Sequence, residues 1–178
     1  MPLAKVHSKN LKDMLSSIDD CLKAERQLPA LVLMYSLIDS LAWAASDQST
    51  ANTRSRFENW VSQWLLPHLP KSNPQVTATD LYAARCALLH TGTGISDLAK
   101  SKKAKRLMYA WGSAKTTLLE RTIVVTGSAD GYAALHCEKF FSAIRKGLKN
   151  FVASADNDPQ LAARLQDAAS VQYDNVPV

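Results

Sequence analysis

Between Leu28 and Ala45 the chain carries apolar side chains on nearly every face of the helix its spacing predicts, with one carboxylate, Asp39, inside the run. A helix that is apolar all round is either the inner member of a bundle or a membrane span. Pro29, Ser36 and Ser40 share the segment with Asp39, and a carboxylate near the centre of so short a stretch is expensive in lipid. The run therefore reads as a core helix that other helices must surround. The fold expected around it is all-α, an up-and-down helical bundle. A chain of 178 residues with 47% hydrophobic content fits a single domain over 1–178.

Flanking patterns supply the surrounding helices. Leu11, Met14, Leu15, Ile18, Cys21 and Leu22 recur at three-and-four spacing, which predicts a first helix from an N-cap at Ser8 to about Gln27. Asp47 to Thr50 reads as a loop. A third helix places Phe57, Trp60, Val61, Trp64 and Leu65 on one face and ends at Pro67 and Pro70. Thr77 or Thr79 can cap a fourth helix running through His90, with Gly92 placed to stop it. Residues 96–105 are a short helix or a loop. Arg106–Trp111 and Thr122–Thr126 are β-prone runs, so a short β-hairpin insertion near 106–126 is expected. An amphipathic helix is expected from about Tyr132 to Ser154 and a last one from Asp158-Pro159 to about Val171, with 172–178 a frayed tail.

The three cysteines, Cys21, Cys86 and Cys137, are odd in number and widely spaced, which suits a reducing compartment. Met1 to Lys5 lacks the apolar run of a signal peptide. A cytoplasmic location with no membrane partner is expected. The net charge of +5 is uneven: residues 100–149 hold eleven basic and three acidic groups, against nine of each in 1–99. Lys102, Lys103, Lys105 and Arg106 lead this block and are candidate contacts for the backbone of RNA. The same residues also suit a solvated surface.

Arg85-Cys86-Ala87-Leu88-Leu89-His90 directly precedes that block. Arginine forks its donors toward phosphate, and histidine is the side chain whose unperturbed pKa lies near neutrality. Together they suit metal-free cleavage of RNA. The histidine takes the 2′-hydroxyl proton and returns one to the 5′-oxygen, while the arginine stabilises charge on phosphorus. On an ideal helix His90 lies about 140° around and about 7.5 Å along from Arg85. The spacing therefore demands a helix that ends at His90, or a second copy of the chain supplying the partner. Asp39 needs a counter-charge, and Arg85 on the other strongly apolar helix is the natural one. That pairing either orients a catalytic arginine or is purely architectural.

Other patterns carry less. His136-Cys137-Glu138 has no second pair spaced for zinc. Phe57, Trp60 and Trp64 are spaced for core packing rather than base stacking. Gly92-Thr93-Gly94 lacks the lysine of a P-loop. Arg145, Lys146 and Lys149 share a helix face and would extend a basic groove or simply meet solvent. No metal site or cofactor is expected.

The chain resembles the HEPN superfamily. The likeness rests on Tyr35 to Ala42, an apolar helix with an internal acid, and on the Arg-x4-6-His signature within Asp80 to Thr91. Arg56 to Val61 is similar to a subgroup of small bacterial members. The likeness covers roughly residues 10–155. It implies a homodimeric helical bundle with the Arg and His of both subunits in one cleft. It also implies metal-independent endoribonuclease activity, of the kind found in toxin–antitoxin or phage-defence systems. Carried over, Arg85 and His90 are the catalytic pair and Asp39 a supporting acid. RNA is the substrate, and an antitoxin or a nucleotidyltransferase-like protein is a partner to expect. The residue after the arginine is commonly polar in the family and here is Cys86. Some members are non-catalytic, so a helical interaction or nucleic-acid-binding module is the alternative.

Overall fold

Leu37, Ile38 and Leu41 are fully buried on α2 (Gln27–Ala45), with Ala30, Leu31, Met34, Tyr35, Ala42 and Ala44 buried beside them. Each large aliphatic side chain removed from water contributes roughly 1.5–3 kcal/mol, and together these residues leave α2 no continuous solvent face. The helix is long and apolar enough to cross a membrane, yet half of that stretch is buried inside the protein. It behaves as the core helix its pattern predicts.

The structure, a computed structural model, describes residues 5–47 and 52–170. Around α2 pack α1 (Lys5–Lys23), α3 (Thr53–Trp60), α4 (Ala78–Thr91), α7 (Cys137–Ser154) and α8 (Pro159–Ser170). A short α5 (Asp97–Lys100) leads into β1 (Arg106–Ala110), and α6 (Thr116–Val125) connects β1 to β2 (Tyr132–His136). Among the described residues the protein is thus predominantly helical, with one small two-stranded sheet. Ser8 lies within α1 rather than capping it. The expected frayed tail at 172–178 lies outside the described residues, as does most of the loop expected at 47–50.

The expected hairpin is corrected. β1 pairs with β2 in parallel, in the register Arg106 with Tyr132 through Ala110 with His136, and a parallel pair needs a crossover rather than a tight turn. Thr122 to Val125, β-prone by composition, belong to α6, where Ile123 is buried and Val125 exposed. The true second strand buries Ala133, Ala134 and Leu135 in succession, the continuous apolar run of a covered parallel strand rather than an alternating one. The last amphipathic helix therefore starts at Cys137 instead of Tyr132.

Two buried polar links join the sheet to the bundle. Tyr35 of α2 and Tyr109 of β1 share a hydroxyl–hydroxyl hydrogen bond of 2.7 Å. Asp80, 2% exposed, closes a capping box with Thr77, accepting from the Thr77 N–H at 2.9 Å while its own N–H donates to Thr77 Oγ1 at 3.2 Å. The same carboxylate accepts from the Lys105 backbone N–H at 2.6 Å and from Lys105 Nζ at 3.3 Å. One aspartate thus starts α4 and fixes where β1 begins.

After Trp60, α3 widens into a π-helical turn (Val61–Leu65) and tightens into a 3-10 turn at Leu66–His68 containing Pro67. The π turn brings the Trp64 carbonyl directly against Gly147 of α7, where an added Cβ would collide with it. Gly147→Ala should therefore destabilise the fold by roughly 1–3 kcal/mol, as overpacking does, measurable as a lower urea midpoint. An unchanged midpoint would show that α7 is not seated this closely. Asp80→Ala should cost on the order of 3 kcal/mol in the same assay, because it removes a cap and leaves Lys105 without its carboxylate.

Candidate functional site

α4 sets the geometry of the candidate site. Thr77 and Asp80 fix its start, and Gly92, in the left-handed conformation at φ 62°, fixes its end. There the Gly92 N–H donates to Leu88 O at 3.1 Å, the five-to-one bond of an αL stop, and the Thr93 N–H donates to Ala87 O at 3.2 Å. Thr91 Oγ1 donates to Ala87 O at 2.7 Å and lies 2.7 Å from Thr93 Oγ1, tightening the same turn. His90 sits in this final turn and is exposed.

Within α4, Arg85 points toward α2. Its Nε donates to Asp39 Oδ2 at 2.7 Å, with the two side chains 14% and 23% exposed. The expected counter-charge for Asp39 is therefore Arg85. Burial pushes the Asp39 carboxyl above its ordinary range, with the Arg85 guanidinium and then His90 pulling the other way. For Arg85, burial opposes the charged form, but the hydrogen bond and charge of Asp39 prevail, and its pKa is raised.

The free end of Arg85 reaches His90: Nη1 lies 2.9 Å from His90 Nε2. The helical offset between the two positions is bridged within one chain, because the helix stops one residue after His90 and the arginine side chain spans a turn. Of the two alternatives the spacing left, the helix that ends beside His90 is the one that brings the pair together here. Arginine has only donors, so His90 Nε2 is the acceptor in this arrangement and the ring proton belongs on Nδ1. Cys86 Sγ lies 4.0 Å from Arg85 Nη1, at the limit of a weak sulfur contact.

The basic candidates separate. Lys102 and Lys103 are exposed. Lys105 is held by Asp80 and by Gln75 O, to which its Nζ donates at 3.2 Å, so it serves the fold and is not a free phosphate ligand. Arg106 is brought against the turn that follows His90: a Cβ placed on Gly94 would be 3.2 Å from its Nη2.

Two further residues stand beside the site. Tyr82, one turn before Cys86, stacks edge-on against Phe57 at 5.6 Å, and the Arg54 guanidinium lies over its ring at 5.9 Å. Burial, then the Cys86 hydrogen bond, pushes the Tyr82 phenol above its ordinary value, while Arg85 and Arg54 both oppose. Arg54, partly exposed and tied to Glu58 at 2.9 Å, adds a cation on the α3 side. The i, i+4 spacing of Tyr82 and Cys86 was the available signal. Elsewhere, Trp60 and Phe57 are buried in the core, and Trp60 and Trp64 both pack edge-on against Phe151. Among the described residues no three His, Cys, Asp or Glu side chains converge to hold a metal ion. Comparison with family models, curated proteins and solved structures finds no match to this chain.

The raised Asp39 pKa has a definite sign in stability. The folded state binds the Asp39 proton more tightly than the unfolded chain, so this contribution is full at low pH and lost as pH rises through the folded pKa. Relative to Asp39→Asn, the wild type should lose stability in denaturant titrations as pH rises above the ordinary aspartate range. A gap that widens in the opposite direction would mean that Arg85 overcomes the desolvation of Asp39.

Proposed function

We propose that the protein is a metal-independent endoribonuclease of HEPN type, working in the cytoplasm, with Arg85 and His90 as its catalytic pair. The observation that carries this reading is the 2.9 Å contact of Arg85 Nη1 with His90 Nε2. It leaves the ring nitrogen unprotonated and facing a guanidinium, as a general base beside an anion ligand should be.

In the proposed reaction a phosphodiester enters between the two side chains and takes over the Arg85 donor. His90 Nε2 accepts the 2′-hydroxyl proton as the 2′-oxygen attacks phosphorus. The bond to the 5′-oxygen breaks, that oxygen takes a proton from the His90 imidazolium, and the products are a 2′,3′-cyclic phosphate and a 5′-hydroxyl, with His90 neutral again. Arg85 stabilises the charge developing on the phosphoryl oxygens, and Asp39 holds the guanidinium in place through Nε. Arg106 and the exposed Lys102 and Lys103 would meet flanking phosphates. A homodimer, with a second Arg–His pair across the cleft, belongs to this reading, as does an antitoxin or nucleotidyltransferase-like partner. Three unpaired thiols suit a reducing cell interior.

A second reading is a non-catalytic interaction module. It is favoured by the way Arg85 and His90 saturate each other and by the apolar Cys86 beside them. Cleavage of RNA in the presence of a chelator separates the two. Arg85→Ala and His90→Ala should each lower the rate by about 10²-fold or more, with the helical content and melting profile of the exposed His90→Ala variant preserved. Wild-type protein that leaves single-stranded and structured RNA intact, or full activity in both variants, would overturn the nuclease reading.

A further inference from the structure

The parallel pairing of β1 and β2 creates a second polar cleft. Where parallel strands are joined by a helix, ligands sit outside the carboxyl ends of the strands. Here that end is formed by the 111–115 loop after β1, the first turn of α6 and His136 at the end of β2. A cavity of about 270 Å³ opens there, floored by Leu66, Leu69, Val76 and Leu135, with Lys71, Lys139 and His136 on its walls. A second space of about 400 Å³ continues from it along Gly112 to Thr117, sharing Thr116, His136 and Lys139 and adding Lys115. An apolar floor with a few convergent polar groups is the usual composition of a small-molecule site.

His136 is built into this cleft rather than resting on it. Its side chain is 11% exposed, and Nδ1 lies 2.9 Å from Glu138 Oε2. The other carboxylate oxygen, Glu138 Oε1, accepts the Gly112 N–H at 2.8 Å. Glu138 therefore ties the loop after β1 to the end of β2 and turns the histidine ring. The contact is close but poorly aligned: buried Nδ1 and Oε2 both lack a well-formed hydrogen bond. The remaining edge of the ring is the one left to line the cleft. Lys71, Lys115 and Lys139 bring three cations, set against two carboxylates: Glu138, engaged by His136 and the Gly112 N–H, and Glu120, which accepts from the Asn73 N–H at 3.4 Å.

We propose that this cleft binds a small phosphomonoester, its phosphate held by Lys115, Lys139 and His136 and its organic body resting on the apolar floor. Two ammonium groups and an imidazole N–H, with the hydroxyls of Ser113, Thr116 and Thr117, suit the charge and several acceptor oxygens of a phosphate better than those of a single carboxylate. The loop carries Ala114 before Lys115, where a P-loop has glycine, and it is shorter than that motif. One phosphate fits the arrangement; a triphosphate cradle does not follow from it. The site is separate from Arg85 and His90, so the proposal stands or falls independently of the nuclease reading.

Phenyl phosphate, inorganic phosphate and phenol are the probes, titrated into the full-length protein and followed by amide chemical shifts. Phenyl phosphate should give saturable shifts at Gly112–Thr117 and around His136, with an affinity about tenfold or more above that of inorganic phosphate or phenol. Lys139→Glu, a change at an exposed position, should weaken binding by at least about tenfold without altering the melting profile, and His136→Gln should weaken it if that variant folds. The proposal fails if phenyl phosphate causes no saturable shift at this cleft, if phenol binds as tightly, or if Lys139→Glu leaves the affinity unchanged.

Discussion

A carboxylate in the wall of the core helix is the constraint from which the candidate site follows. α2 is wrapped by five other helices, and Asp39 is its one charged side chain. Ionised and unpaired, it would be several kcal/mol too costly. Arg85 meets it from α4, and that contact fixes the guanidinium in one orientation, with Nε inward and Nη1 outward toward His90. A buried ion pair of this kind contributes little net stability. What it contributes is position: the outward half of the arginine is placed by the inward half.

Much of this was legible in the sequence, for identifiable reasons. The all-round apolar pattern of Leu28–Ala45 admits few environments, and a lone Asp39 within it requires a cation. Thr77, one of the two caps the sequence offers, and Gly92 mark the ends of α4 through backbone chemistry that depends on neighbours only. The contact between Arg85 and His90 was harder to read, because face-by-face helix geometry follows Cβ positions and an arginine reaches well beyond its Cβ. The sheet was misread because local preference and tertiary setting disagree. Thr122 to Val125 are β-branched but lie in a helix, while Tyr132 to His136 resemble a helix start and form a strand. Parallel partners lie far apart in sequence, and nothing local announces their pairing. Lys105 looked like its basic neighbours until Asp80, twenty-five positions away, was seen to hold it.

The joint between bundle and sheet rests on few contacts of high specificity. Tyr35 and Tyr109 are each buried enough to have their phenol pKa raised, mainly by desolvation, so each hydroxyl depends on the other. Asp80 satisfies two backbone donors and an ammonium at once. On the opposite side, Gly147 lets α7 lie against the π turn of the third helix at backbone distance. Small side-chain changes at these points would shift whole elements, because no layer of adaptable side chains stands between them.

The crossover between β1 and β2 also sets an order of events in folding. The first four helices make contacts with near neighbours in the chain and can close short loops as they form. The sheet has no such route: its strands meet only after the intervening α6 segment has been folded back, and Lys105 must already have found Asp80 for β1 to start in register. Non-local pairing of this kind is slow to search. The bundle should therefore act as the template on which the β–α–β segment condenses, making that segment the last part to assemble and the first to open.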